Sequence, residues 1–407
     1  MHEMLAIDTE RVIASLKHLA RFGAQGQGVN RPVLSDADVE SRRWLAGEME
    51  SAGLTVVVDA VGNVIGKSKA PRALLLGSHT DSVPTGGWLD GALGVIYAIE
   101  TARAFNLQFP DAPIGCDVVA FSDEEGRYLS CLGSKWFCGE LSLPDLARLS
   151  YAGIDFAGAA QLAGYDSEVG AQFDARRCIG YFEAHIEQGP RLDNAELDLG
   201  IVTGIAGMRR HRIVFKGQAD HAGTTPMSVR KDAGMAAFEF AVQLRDSFVE
   251  LGAPEAVWNF GAVEFRPGVA NVVPKEALLT LETRDLRLEV LDEMQKRVAD
   301  LIESNDGRAG VSITLERVGD LPSAIMDARL LQHVASSAAQ LTDKTMHLHS
   351  GAIHDAMVLA RHVPSAMLFV PSIGGRSHVY LENTADKHLR MGAEVFAGAA
   401  LSMISGG

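Results

Sequence analysis

Five residues of this chain carry the side-chain types that hold divalent cations, and each sits where a strand end or a turn can aim it: His79, Asp90, Glu125, His185 and His378. His79 and Asp81 lie two apart in Gly77-Ser78-His79-Thr80-Asp81-Ser82-Val83. Strand alternation puts such a pair on one side of the chain. A metal-bound imidazole needs its ring oriented by a neighbour, and Asp81 can do that. Asp90 sits in the glycine turn Gly86-Gly87-Trp88-Leu89-Asp90-Gly91, and a carboxylate there can bridge two cations. Glu124 and Glu125 are adjacent and point apart, so one can bind metal while the other faces substrate as a base. Mixed imidazole and carboxylate donors suit zinc, and also manganese, cobalt or nickel. Two close metals can activate a water and polarise a carbonyl. Spacing alone leaves plainer readings open: a satisfied core histidine, an aspartate that only forms its turn, a solvated pair of glutamates.

The elements that must position these residues follow from hydrophobic periodicity. Residues 5–22 and 35–52 have helical spacing, the second with Ser35 and Asp36 as caps and Gly53 as its stop. Residues 55–58 and 63–66 look like strands, and 73–76 and 117–121 like short buried ones, with a helix over 91–105 between them. Alternating strands and helices predict an α/β sheet whose site lies beyond the carboxyl ends of its strands. His79–Asp81 and 123–125 fall at such ends. From about residue 208 the pattern changes: strands over 210–215, 258–265 and 277–285 accompany helices over 232–248 and 290–304. That ratio predicts an inserted α+β domain over 208–318, between two parts of a catalytic domain, 1–207 and 319–407.

With 407 residues the chain is too long for one core. Its net charge of −15, with no cluster of lysine and arginine, argues against nucleic acid as a partner. Neither a signal peptide nor a membrane-spanning run is recognisable. Cys116, Cys131, Cys138 and Cys178 include no C-x-x-C pair, which fits thiols in a reducing cytoplasm.

Several strings resemble the amidase/hydantoinase/carbamoylase family of the di-zinc aminoacylase and carboxypeptidase superfamily. They are Gly28-Val29-Asn30-Arg31, Asp59-Ala60-Val61-Gly62-Asn63, the two segments around His79 and Asp90, Asp123-Glu124-Glu125-Gly126, His185-Ile186-Glu187-Gln188-Gly189-Pro190, Asp220-His221-Ala222-Gly223-Thr224-Thr225-Pro226-Met227, Asn271-Val272-Val273-Pro274, Ser350-Gly351-Ala352 with His354-Asp355, and Ser377-His378. The resemblance spans nearly the whole chain. It implies a di-metal aminopeptidase-like catalytic domain with an inserted lid that also dimerises. It implies two divalent ions per subunit on His79, Asp90, Glu125, His185 and His378, with Asp90 bridging. Glu124 would be the general base and Asp81 the acid behind His79. Substrate, a small molecule bearing a carboxylate, would lie between catalytic domain and lid. His221, Asn271 and Arg284 would hold it from the lid, and Gln188 and the Gly351 loop from the catalytic side. His211 occupies a lid-strand position where an aromatic is usual. Arg284 can clamp a carboxylate through two N–H groups, and His221 can face the oxyanion.

The expected reaction is hydrolysis of an N-carbamoyl-L-amino acid or related ureido acid, giving an amine, carbon dioxide and ammonia. Allantoate hydrolysis, N-acyl amino acid hydrolysis and an inactive binding protein are the competing readings. The chain departs from the family pattern in four places. Arg127-Tyr128 follows Gly126 one residue early, and Ile353, Arg376 and Tyr380 replace a glycine, an aliphatic and a proline. All four are expected where substrate choice is made, and Gly133-Ser134-Lys135 has the look of the allantoate branch.

Overall fold

A computed structural model describes residues 5–165 and 169–406. The chain forms two compact units, one of residues up to Thr203 with those from Ile325 on, the other Gly204–Ala324.

In the first unit four strands, Ser365–Val370, Cys178–Ile186, Arg72–His79 and Ile114–Phe121, lie side by side and parallel. Val64–Lys67 and Thr55–Val58 extend the sheet antiparallel on one side, and Leu199–Ile205 on the other. The parallel strands are apolar on both faces, as strands covered on both sides must be. Leu74, Leu76, Val118, Phe182, Ala184 and Leu368 face a core shared with the helices Thr9–Leu19, Ala92–Gln108 and Asp386–Ser405. The alternate residues Phe121 and Tyr181 pack with Phe137 on the other face.

Helix boundaries follow their caps. The first helix starts at Thr9, four residues later than periodicity alone suggests, because the Asp8 carboxylate accepts the Arg11 N–H at 3.0 Å. Ser35 caps Asp36–Ser51 as expected. The helix Ala92–Gln108 lies so close on the sheet that a Cβ on Gly94 would come within 2.3 Å of the Ala184 carbonyl oxygen.

The second unit has the α+β form expected from patterning. Its antiparallel sheet runs in the order Val257–Arg266, Glu276–Asp285, Gly207–Lys216, Ser312–Leu321. The helices Ala233–Glu250 and Leu288–Asn305 cover one face through Phe240, Leu244, Met294 and Val298, packed on Ile213, Phe215, Leu279 and Leu281. The fourth strand was not singled out by periodicity; seven of its ten residues are exposed, so it lacks a clean alternation, and it runs past residue 318 to Leu321. Among the described residues no helix is long and apolar enough to cross a membrane, and all four cysteines are free thiols.

Candidate active site

The carboxyl ends of the parallel strands converge on one cluster. Asp90 stands at its centre, 4% exposed. Its Oδ1 lies 3.2 Å from His185 Nε2 and 3.9 Å from His79 Nε2, and its Oδ2 lies 3.3 Å from His378 Nε2. His378 Nε2 is also 3.5 Å from Glu125 Oε2. The donors thus fall into two groups, His79-Asp90-His185 and Asp90-Glu125-His378, that share Asp90. Glu124 Oε2 sits 3.7 Å from His79 Nε2.

Backbone contacts fix the rings. His79 Nδ1–H donates to the Asp81 carbonyl oxygen at 3.1 Å, and His185 Nδ1–H to that of Ile186 at 2.9 Å. With Nδ1 protonated, both Nε2 lone pairs point into the cluster, as a metal ligand requires. The tautomers follow from these bonds. Gly91, at φ 62°, turns the chain from Asp90 into the following helix directly under the His79 ring.

Asp81 does more than back His79. Its Oδ1 lies 3.8 Å from His79 Nδ1, and its two oxygens accept the N–H groups of Glu124 and Glu125 at 3.4 and 3.3 Å. Asp123, at φ 54°, accepts the N–H groups of Arg127, Tyr128 and Leu129 at 2.7, 2.9 and 2.9 Å, which folds the short segment after Gly126 onto its own start.

The cluster is short of positive charge. Burial and repulsion from Asp90 push Glu125 up to about 8, and burial with repulsion from Glu125 drives Glu124 well above the carboxylate range. Burial alone would raise Asp90, yet its bonds to His185 and His378 hold it well below the ordinary value. Burial pulls His185 down, but Asp90 outweighs this and holds it at about 9. His378 stands at about 9 through its bond to Asp90. Carboxylates and imidazoles are gathered round Asp90 with little positive charge to balance them, and these donor types fit divalent metal.

Gln188, at φ 58°, lies against the same carboxylate: its Nε2 is 3.3 and 3.2 Å from the Asp90 oxygens and 3.1 Å from Ser377 Oγ. Glu382 is a hub, and no motif in the sequence points to it. It accepts the N–H groups of Leu89 and Asp90 at 3.2 and 3.1 Å and the Ser377 hydroxyl at 2.8 Å, tying the bridging turn to the His378 loop. The Gly351 loop reaches the cluster through His354, which bonds Ser350 Oγ at 2.8 Å and sets its ring edge-on to His185 with centroids 4.4 Å apart.

In the second unit His221 and Asn271 are neighbours, because Ala222 N–H donates to the Asn271 carbonyl and Val273 N–H to that of Asp220, at 3.0 and 2.9 Å. Both side chains are exposed. Arg284 shares the Glu282 carboxylate with Arg210, on the sheet face away from the helices. His211 pairs in register with Leu281 and lies buried on the opposite, helix-covered face, so it does not join Arg284; neither ring nitrogen has a hydrogen-bond partner.

The departures from the family pattern divide. Arg127 does not turn toward the cluster: it donates to the Val33 carbonyl at 2.8 Å and lies over the rings of Tyr128 and Tyr151. Gly133-Ser134-Lys135 is internal structure: a Cβ on Gly133 would come within 2.3 Å of Asn63 Oδ1, and Lys135 donates to the Ser130 carbonyl at 2.7 Å. Arg376 is exposed, Ile353 and Tyr380 are half-buried, and the Tyr380 ring packs over Gly28.

The profile of Peptidase family M20/M25/M40 matches residues 75–402. The chain belongs to this family. It is 35% identical to an N-carbamoyl-L-amino acid amidohydrolase of Geobacillus stearothermophilus over 96% of this chain and 97% of that one. With a ureidoglycolate hydrolase of Arabidopsis thaliana it shares 31% identity over 97% and 86% of the two chains. The crystal structure of an amidase of the hydantoinase/carbamoylase family from Burkholderia phymatum matches all of both chains, with a TM-score of 0.92 and 41% identity. The family is metal-dependent, and its amidohydrolase members, this chain among them, act on carbon–nitrogen bonds other than peptide bonds.

Proposed function

We propose that this protein hydrolyses an N-carbamoyl-L-amino acid or a closely related ureido acid, with two divalent metal ions held by His79, Asp90 and His185 and by Asp90, Glu125 and His378. The observation that carries the reading is the pair of donor groups sharing Asp90 beside Glu124. Zinc is the first expectation, with manganese, cobalt or nickel compatible with the same donors. Bound there, the cations would supply Lewis acidity to polarise the scissile carbonyl and to acidify water.

The chain's own groups account for the rest. Glu124, buried and 3.7 Å from His79, takes a proton from the attacking water and returns it to the leaving nitrogen. The carbamoyl C–N bond breaks, the amine leaves, and the resulting carbamic acid falls apart to carbon dioxide and ammonia. His221 accepts the Gly223 N–H at Nδ1, 3.1 Å away, so its proton sits on Nε2 and the exposed ring is a donor suited to the developing oxyanion. Arg284, beside Arg210 at the Glu282 carboxylate, has the planar fork of N–H groups that suits a substrate carboxylate. Gln188, Asn271 and the Gly351 loop complete the set. His211 is left out because it faces the helices.

We read the protein as a homodimer through the second unit. The strand Val257–Arg266 is a sheet edge, and Met235, Phe238 and Val242 expose apolar surface on the neighbouring helix. Free thiols favour a cytoplasmic setting.

An ammonia-release screen tests the reading, using N-carbamoyl amino acids, allantoate, ureidoglycine, ureidopropionate and simple amides with added zinc or manganese. Turnover of carbamoyl amino acids above the others is the expected result. Preference for allantoate would favour the alternative, and release from none of them would refute both.

A further inference from the structure

The matched family profile begins at residue 75, yet a fully buried arginine from the preceding segment reaches the site. Arg42 lies on the helix Asp36–Ser51 and is 2% exposed. Its Nε donates to Asp38 at 2.9 Å. Its Nη1 donates to the carbonyls of Gly62 and Phe121 at 3.0 and 3.1 Å, and its Nη2 to Phe121 again at 3.1 Å. Phe121 ends the strand that delivers Glu124 and Glu125. Nη2 also stands 3.8 Å from Asp81 Oδ1, the oxygen that faces His79 Nδ1 and accepts the Glu124 N–H.

We propose that Arg42 is a positioning residue for the metal centre, holding the Asp81 carboxylate and the chain that leads into Glu124-Glu125 in one arrangement. This rests on the metal-centre reading above. The physical case is one of charge and shape. Asp81 is 1% exposed, and a buried carboxylate needs a paired cation and hydrogen bonds to stay in place. Arg42 makes the only ion pair to Asp81 from a lysine or arginine among the described residues. The planar guanidinium spans Asp38, Phe121 and Asp81 together, which the single ammonium of lysine cannot do. A helix anchor alone would need only the bonds to Asp38 and Gly62; the groups facing Phe121 and Asp81 point the fork at the site.

The test is a double-mutant cycle on the full chain, read by zinc affinity in a chelator competition, with folding checked by circular dichroism. Arg42→Met exposes Asp38 and Asp81 to a buried apolar neighbour and can cost the fold; Arg42→Lys retains the charge and is the variant that decides. Arg42→Lys is expected to fold and to bind zinc about tenfold more weakly, the low end for losing a partner of a metal ligand. Asp81→Asn should show a similar loss, and the double variant should be no worse than either single one. Wild-type zinc affinity in Arg42→Lys, or losses that multiply in the double variant, would overturn the proposal. Wild-type protein that binds none of zinc, manganese, cobalt or nickel would overturn the metal-centre reading and this proposal with it.

Discussion

Gly91→Ala puts the link between backbone and metal ligand to the test. Gly91 has φ 62° and ψ −41°, a conformation that costs an alanine about 1–3 kcal/mol. Its new Cβ would lie 2.4 Å from His79 Cδ2 and 2.5 Å from His79 Nε2. Contacts of that kind cost a further 1–3 kcal/mol, roughly, where nothing can move. Here the obstacle is the end of a side chain, so the ring swings away by about 1 Å and relieves the clash at the expense of its aim; a shift of that size costs about a hundredfold in catalysis. Backbone strain should therefore lower the melting temperature, and ring displacement should weaken zinc binding at least tenfold, roughly the effect of losing a ligand's orienting partner. Gly47→Ala is the matched control. Gly47 is exposed inside the helix Asp36–Ser51 with nothing within 4 Å of a new Cβ, and alanine there should add about 0.5–1 kcal/mol of stability. Calorimetry and chelator competition on both variants decide. A Gly91→Ala protein that melts and binds zinc like wild type would refute the argument that this turn aims His79.

Three further outcomes are expected. Glu140 is raised by burial, but its bonds to Arg361 and His362 outweigh this and hold it below its ordinary 4.5. A depressed carboxylate stabilises above its unfolded value and loses that contribution as pH falls through the folded one, so Glu140→Gln should melt lower than wild type near neutrality, with the gap closing below pH 4.5; a constant gap would show that the charge is not the cause. Phe238, 52% exposed on the helix Ala233–Glu250, should convert the protein to monomers when changed to glutamate; sedimentation that still gives a dimer would exclude this face. Arg376 is exposed two residues from His378, and Arg376→Leu should change the ratio of kcat/KM among N-carbamoyl acids while leaving the melting temperature alone, an unchanged ratio removing Arg376 from specificity.

Residue type and local spacing made part of this legible. His79, Asp90, Glu125, His185 and His378 are found together, and strand-end placement is what a parallel sheet does with such residues. The groups that hold them were not legible, because their partners are remote in the chain. Glu382 bonds Asp90 across 292 positions, and Arg42 reaches Phe121 across 79. An arginine within a helical pattern reads as solvated surface until the carbonyls at a strand end are placed over it. Arg127 erred in the other direction: its position beside Gly126 suggested substrate contact, while two tyrosines and the Val33 carbonyl claim it. His211 shows how period-2 alternation decides a face, since one position along the strand separates it from Arg210 on the side of Arg284.

Half of the eight non-glycine residues with positive φ among the described residues lie at the same place. Asp123, Cys131, Gln188 and His378 all have φ between 54° and 58°, without being glycine. Each such residue costs about 1–3 kcal/mol and persists only where its surroundings over-determine it. The surroundings here are identifiable. Three N–H groups hold the Asp123 carboxylate. Cys131 N–H is held by the Glu124 carbonyl at 3.1 Å. Gln188 is fixed by the Ser372 hydroxyl and by Asp90, and Glu382 holds Ser377 beside His378. Asp90 thus recurs both in the donor cluster and in the bonds that keep its backbone strained, and Glu382 ties the two together through Asp90 N–H and Ser377. Replacing either should release strain while it removes a contact, so the stability lost should fall short of what the broken hydrogen bonds alone would cost, and metal affinity should fall by more.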